Sequence, residues 1–552
     1  MFSEGYVFLL AAVIPFYSWQ QMEEGRNLVS MLITGAFLIM WLATNTLPFV
    51  WDTTTIYALC FASWMVASIF WSNSRQSSRD LFFMLCGLVV FMSARTIPFE
   101  ILVPILFVPG LIFSCMHLYN YKPDSFYIKR KKIEGHAGNI SPKKVYPIFG
   151  NHNHLGAFML IPLFAGAWLA LNISLYIAIL ILPIVFTLAL GKCRGAQMAA
   201  IIGLSYVACM QTPYLLAGIP VVLIVAYLIC RARGKTFYES TSGRISLYLA
   251  TLLLIKKAPL SGHGLRTFRR EYSAVVPEIR RNRLLKHFYA KDQSIEEAKS
   301  HRVHNDHMEI ILELGIIGYV LFILIFTSFL WTENILLSGA IIAYAVHGLF
   351  FFPLREAHTA YPFWALAGGI AGTSVAPITV TPIIATVSIL IIARIMCWVG
   401  VKILGLSYYH KEIKIGVAPN AKNDALLRKQ AWINLAIKCD PYNSLYLTEG
   451  YYYNVFDNPE VAFQFASRCM ENFDGGKVRW GVCDQYARAL LRLGGLGAAK
   501  MAVKYALHIN PDFKQSQELM MQLEEMERTA QENQRAQEKH TKKKQRIQGK
   551  KK

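Results

Sequence analysis

Apolar stretches long enough to cross a bilayer recur along this chain, and no other feature constrains its fold as tightly. A hydrocarbon core takes roughly 20 apolar residues per helix, with a usable range of about 17–25. On that ruler about thirteen spans are expected, near residues 5–19, 27–47, 54–71, 81–95, 98–118, 154–171, 174–190, 195–211, 213–230, 309–331, 334–352, 358–375 and 383–404. Composition agrees: of 552 residues, 54% are hydrophobic and 16% charged, where an ordinary soluble chain is about a quarter charged. No Lys or Arg precedes the first apolar run and no small-residue cleavage site follows it, so a removable signal peptide is not expected. The expected fold is all-α, a polytopic transmembrane bundle of about 12–13 spans. Its parts are N-terminal helices over 1–118, a basic polar loop over 119–153, and a membrane domain over 154–404 that includes a large loop at 231–308. A C-terminal helical-repeat region over 421–524 and a basic tail over 531–552, expected to be disordered, complete it.

The spans are nearly free of charge. Arg394 and His347 are the main exceptions, while Glu100, Glu309 and Glu313 lie in the first turns of theirs. Ion-coupled transporters hold ionisable groups deep in the bundle, whereas the titratable groups here gather between spans. Chemistry at the membrane surface is favoured over a path through it. Counting crossings puts residues 119–153, 191–195, 231–308 and 353–360 on one face. That face is basic: 119–153 has seven Lys/Arg against two acids, and 231–308 has sixteen against seven. Such residues ordinarily meet anionic headgroups. Arginines within short Gly-containing motifs suit a more specific role, gripping phosphate or diphosphate with a planar fork. The ten cysteines contain no CxxC pair, so neither a zinc site nor a disulfide framework is indicated.

Several such motifs occur in order. Phe149–Phe158 reads FGNHNHLGAF and carries Asn151 and Asn153; LGKCRGAQ carries Arg194; Gly243-Arg244 precedes a half-span apolar run, Ile245–Ile255, suited to an interfacial helix. PLSGHGLRTF follows with Gly264 and Arg266, then His304-Asn305, Glu309, Glu313, Gly315 and Gly318. Taken together, over about residues 140–375, they resemble the O-antigen ligase/polymerase superfamily of bacterial membrane glycan transferases. The resemblance implies a metal-independent, inverting transfer of a glycan from undecaprenyl diphosphate to an acceptor hydroxyl, with no cofactor. By motif, His304 would be catalytic and Arg194 and Arg244 would hold the diphosphate, with Arg266 a third candidate; Asn151, Asn153, Gly264, Asn305, Glu309 and Glu313 would support them. The acceptor would be lipid A–core, a growing polysaccharide or a protein Ser/Thr. The family's setting is the bacterial inner membrane with the working face periplasmic. The positive-inside rule alone would turn the basic face to the cytoplasm, but an anionic donor accounts for basic residues at the site. His304 and His307 also form an HxxH pair with metal-ligand spacing, although no third ligand is evident.

Beyond the spans, AIKCDPYN and ALHINPDF each place a small residue five positions before proline. With Gly450, Tyr453, Ala462, Ala499 and Ala506 they resemble degenerate tetratricopeptide repeats, which offer a groove to a protein partner. Expected partners are thus the lipid-linked donor, a glycan, lipid or protein acceptor, membrane lipid and a protein on the repeats, but no nucleic acid. The alternative reading is a transporter or flippase of lipid-linked sugars, which would need polar residues spread through the spans.

Overall fold

A computed structural model describes residues 2–14, 23–119, 152–211, 237–282, 302–414, 423–471 and 479–549, apart from short interruptions within them. The expected span at 213–230, most of the basic loop at 119–153 and Asn151 lie outside the described residues. The described residues are mostly helical, as the apolar runs require. The N-terminal helices are α1 (Phe2–Val7), which runs into a π-helical turn at Phe8–Val13, α2 (Glu23–Ala43), α3 (Thr53–Ser68), α4 (Ser77–Ala94) and α5 (Phe99–Tyr119). Then come α6 (His152–Asn172), α7 (Ile177–Leu190), α8 (Arg194–Gln211), α9 (Phe237–Lys257), α10 (Phe268–Arg281), α11 (Asp306–Ser328), α12 (Ile335–Gly348), α13 (Ala357–Ile370) and α14 (Pro382–Lys414). Among the described residues six helices are long and apolar enough to cross a membrane, and α3, α7 and α12 are shorter apolar ones. A two-stranded antiparallel ribbon, β1 (Thr46–Phe49) with β2 (Ala376–Thr379), ties two interhelical connections together.

The chain divides into two compact units, Met1–Phe268 with Arg302–Ile403, and Arg269–His301 with Leu404–Lys552. In the first, α13 is buried along its whole length. Such a helix belongs at the centre of a bundle, because it has no polar face to give to solvent. Helix α8 crosses α12 where Gly203 meets Gly339, with room for no side chain on either: a Cβ on Gly203 would fall 2.5 Å from the Gly339 carbonyl oxygen. Small residues allow this close approach where lipid supplies no hydrophobic drive between helices.

Helix α11 is broken at Gly315, whose φ of 69° and ψ of −173° are non-helical. The segment Pro259–Gly264 lies across the break and takes up the freed groups. Ile316 N–H donates to the Pro259 carbonyl at 2.8 Å, His263 N–H to Leu312 at 2.8 Å, and Gly264 N–H to Glu313 at 2.8 Å. The Trp64 indole N–H donates to the Leu314 carbonyl at 2.8 Å. A Cβ on Gly315 would fall 2.0 Å from the Leu260 carbonyl oxygen. Two motifs distant in sequence, PLSGHG and ELGIIG, are therefore the two sides of one backbone join. Broken helices are tolerated at membrane depth only where the freed groups find such partners.

The interfacial run at Ile245–Ile255 sits within the longer α9, which buries Leu247, Ala250, Thr251 and Leu254 and leaves Leu252 outward.

In the second unit α15 (Asn423–Cys439), α16 (Ser444–Asn454), α17 (Pro459–Glu471), α18 (Arg479–Arg492), α19 (Leu496–Ile509) and α20 (Lys514–Gly549) pack in series, each on the next. Ala436, Ala462, Ala499 and Ala506 are wholly buried, and Gly450 lies against Ile437 and Phe465. The small residues picked out by spacing are the points where these helices touch. Leu519 and Leu523 close the end of this stack, against Ala487, Ala499 and Val503. The tail expected to be disordered instead continues α20 as a helix to Gly549, exposed on all sides over 528–542. Its Glu, Gln, Lys and Arg are good helix formers, a propensity that charge content alone does not reveal.

Candidate active site

At one end of the first unit the N-termini of α6, α8 and α11 meet the C-terminus of α12. Gly156 allows this: a Cβ there would lie 2.8 Å from Cys193 and Ala196, so α6 rests directly on the first turn of α8. Cys193 Sγ donates to Asn153 Oδ1 at 3.4 Å. Burial pushes the Cys193 thiol up to about 11, against the backbone N–H groups of Ala196 and Gly195 and the charge of Arg244, which pull it down. Half-buried Arg194 opens α8, and half-buried Arg244 on α9 is within electrostatic reach of the same turn. A helix N-terminus that begins at one arginine and has a second within electrostatic reach favours an anion.

His304 sits beside this group. Its φ is 61°, a left-handed conformation uncommon for residues other than glycine. The carboxylates that follow it in sequence hold the surrounding backbone in place. Glu309 accepts Val303 N–H at 3.0 Å and pairs with Arg302 at 3.0 Å. The Asn305 side chain caps α11 by accepting Met308 N–H at 3.0 Å. Asp306 accepts Leu354 N–H at 3.0 Å, while its own N–H donates to the Phe351 carbonyl at 3.1 Å. Tyr248, one turn beyond Arg244, donates to the His304 carbonyl at 3.1 Å and faces that of Leu349 at 3.3 Å. The His304 ring lies 5.0 Å from Phe352. Phe351 stands among three histidines, His154 at 4.8 Å, His347 at 5.6 Å and His304 at 6.3 Å between ring centroids.

Arg266 is placed differently from the other two arginines. It too has a positive φ, 60°. Its guanidinium pairs with Asp80 at 2.7 Å, and its N–H donates to Glu313 at 2.7 Å. Asp80 also receives Arg302 at 2.8 Å, and Glu313 receives the buried Arg355 at 2.7 Å. With Arg355 also 3.9 Å from Asp306, three arginines and four carboxylates form one largely buried network. Burial alone would make Arg302 easier to deprotonate, but Asp80 and Glu309 more than offset this and hold it well above its ordinary value. Glu309 and Glu313, four residues apart on one helix face, hold the two loops on which His304 and Arg266 stand.

The HxxH spacing does not produce a ligand pair. His307 turns its Nε2 to the Ala345 carbonyl at 2.9 Å and its Nδ1 to the Tyr319 hydroxyl at 3.3 Å, so both ring nitrogens face protein groups. Among the described residues no group of three or more His, Cys, Asp or Glu is placed to hold a metal ion. Motif reading alone did not single out Tyr248, Asp80, Arg302, Asp306 or Arg355. Only a charge at the edge of an apolar run, as in Ser77–Asp80 and Pro353–Arg355, marked any of them.

Residues 155–323 match the family model of O-antigen ligase (Wzy_C). The match covers less than half of the chain and supports membership of that ligase/polymerase family. No curated protein matches the chain. A membrane helical bundle carrying an O-antigen ligase domain supports a glycan-handling membrane enzyme.

Proposed function

We propose that the protein transfers a glycan from undecaprenyl diphosphate to an acceptor hydroxyl, with inversion and without a metal. The observation that carries this reading is His304, held in a left-handed backbone beside the Arg194-bearing end of α8 and the Arg244-bearing helix α9. The acceptor oxygen attacks the anomeric carbon, and its proton passes to the neutral imidazole of His304. The bond from that carbon to the diphosphate oxygen breaks, and the lipid diphosphate leaves with the electron pair. Arg194 and Arg244, with the first turn of α8, offset the charge that develops on it. Arg266, engaged with Asp80, keeps the loop at Gly264 in place. The acceptor belongs to lipid A–core, a growing polysaccharide or protein Ser/Thr, and the C-terminal helices act as a tetratricopeptide-like platform for a protein partner.

Replacing Arg194 or Arg244 with Ala is expected to weaken donor use about ten- to a hundredfold, the scale of a lost charge-assisted contact. Lysine restores only part of it, because it lacks the planar fork. Transfer from a lipid-linked donor in purified membranes measures this, with and without EDTA. Unchanged transfer in both Ala variants, or transfer lost to EDTA and restored by a divalent ion, removes the assignment.

The same reading puts the site on the periplasmic side of a bacterial inner membrane, where the lipid-linked donor is presented. Topology reporters fused after Ser125 and after Asn420 are expected to give a periplasmic signal at both positions. A cytoplasmic signal at both would reverse the orientation.

A further inference from the structure

His347 is a buried polar group for which the reaction as described has no use. It is 1% exposed, at the last turn of α12. Neither ring nitrogen has a partner in full hydrogen-bond geometry among the described residues, although the backbone of Asn153 and of Gly195 is within hydrogen-bonding reach of the ring. A buried imidazole whose nitrogens are incompletely bonded is costly, since each desolvated nitrogen forfeits part of a bond it would make in water. The ring faces the first turn of α8: a Cβ on Gly195 would fall 3.2 Å from its Nδ1. That turn is the positive end of an 18-residue helix, capped by the Cys193 thiol. Sulfur is a weak acceptor and does little to neutralise it. Arg244 is within electrostatic reach of both Cys193 and His347. Across Phe351 from His347 lies His304.

We infer that His347 is a third ligand of the leaving diphosphate, donating a ring N–H to a phosphate oxygen seated over the N-terminus of α8 between Arg194 and Arg244. A ring N–H gives the contact direction, and the two guanidiniums supply the charge. This confines the anion to the α8 end of the site and leaves the His304 side to the acceptor. The inference rests on the donor site proposed above.

The test is equilibrium binding of radiolabelled undecaprenyl diphosphate, without glycan, to the purified full-length protein in detergent. His347→Leu, which fills similar space without a donor, is expected to bind about tenfold more weakly. His347→Asn, which keeps an N–H near the Nδ1 position, is expected to recover most of the loss. Wild-type affinity in His347→Leu overturns the inference, as does equal weakness in His347→Asn, which would make the role one of packing. Arg194→Ala and Arg244→Ala are measured in parallel. If they bind the lipid as tightly as wild type, the donor site itself is misplaced and the inference falls with it. If they weaken while His347→Leu does not, the donor site stands and the inference alone fails.

Discussion

His304→Ala and His304→Asn are both expected to lose transfer by about a hundred- to ten-thousandfold, the range of a removed general base, while binding of the lipid diphosphate is kept. Two variants are needed because of the backbone. At a φ of 61° alanine meets a steric penalty of roughly 1–2 kcal/mol, whereas asparagine adopts this region more readily. If the loss came from a loop relaxing out of its left-handed turn, His304→Asn would stay active. Equal loss in both points to the imidazole itself. His307→Ala, whose ring packs on Tyr319 and Phe322, is expected to affect the chemical step less. A fully active His304→Asn would remove His304 from the mechanism.

The second large effect is on stability. Arg355 is 1% exposed and its partner Glu313 is wholly buried. Arg355→Met leaves that carboxylate without its counter-charge, and Asp306 without a cation 3.9 Å away. Removing one partner of a buried pair typically costs about 3–5 kcal/mol. Thermal unfolding of the purified protein should therefore show a marked fall in Tm. Adding Glu313→Gln should restore part of it, because the amide oxygen can still accept Arg266 N–H while the uncompensated charge is gone. A single variant as stable as wild type, or a double variant less stable than the single, would show that the pair contributes little.

The sequence made some of this site legible and hid the rest for physical reasons. Apolar length located α2, α4, α5, α6, α11 and α14, because the bilayer ruler acts on contiguous residues. Motif order picked out His304, Arg194, Arg244 and the two glutamates on the end of the bundle described above. Spacing could not say what Glu309 and Glu313 hold, since their partners Val303, Arg302, Arg266 and Arg355 come from separate segments. Asp80 fell just outside the boundary drawn for its span and was not singled out, yet it joins Arg266 to Arg302. The HxxH spacing, which lacked a third ligand in the sequence, is not a helical pair either. Helical periodicity would put both rings on one face, but the chain before α11 is in a left-handed turn at His304 and not helical there.

The ligase-like stretch, residues 155–323, is not a self-sufficient piece of this molecule. Two of the charges that complete its interior, Asp80 and Arg355, are contributed by helix α4 on one side and the turn before α13 on the other. A transplant of that stretch alone into another scaffold would bring Arg266, Arg302 and Glu313 into the interior without those counter-charges. The set of balanced charges is therefore larger than that stretch, and it runs from helix α4 to the turn before α13.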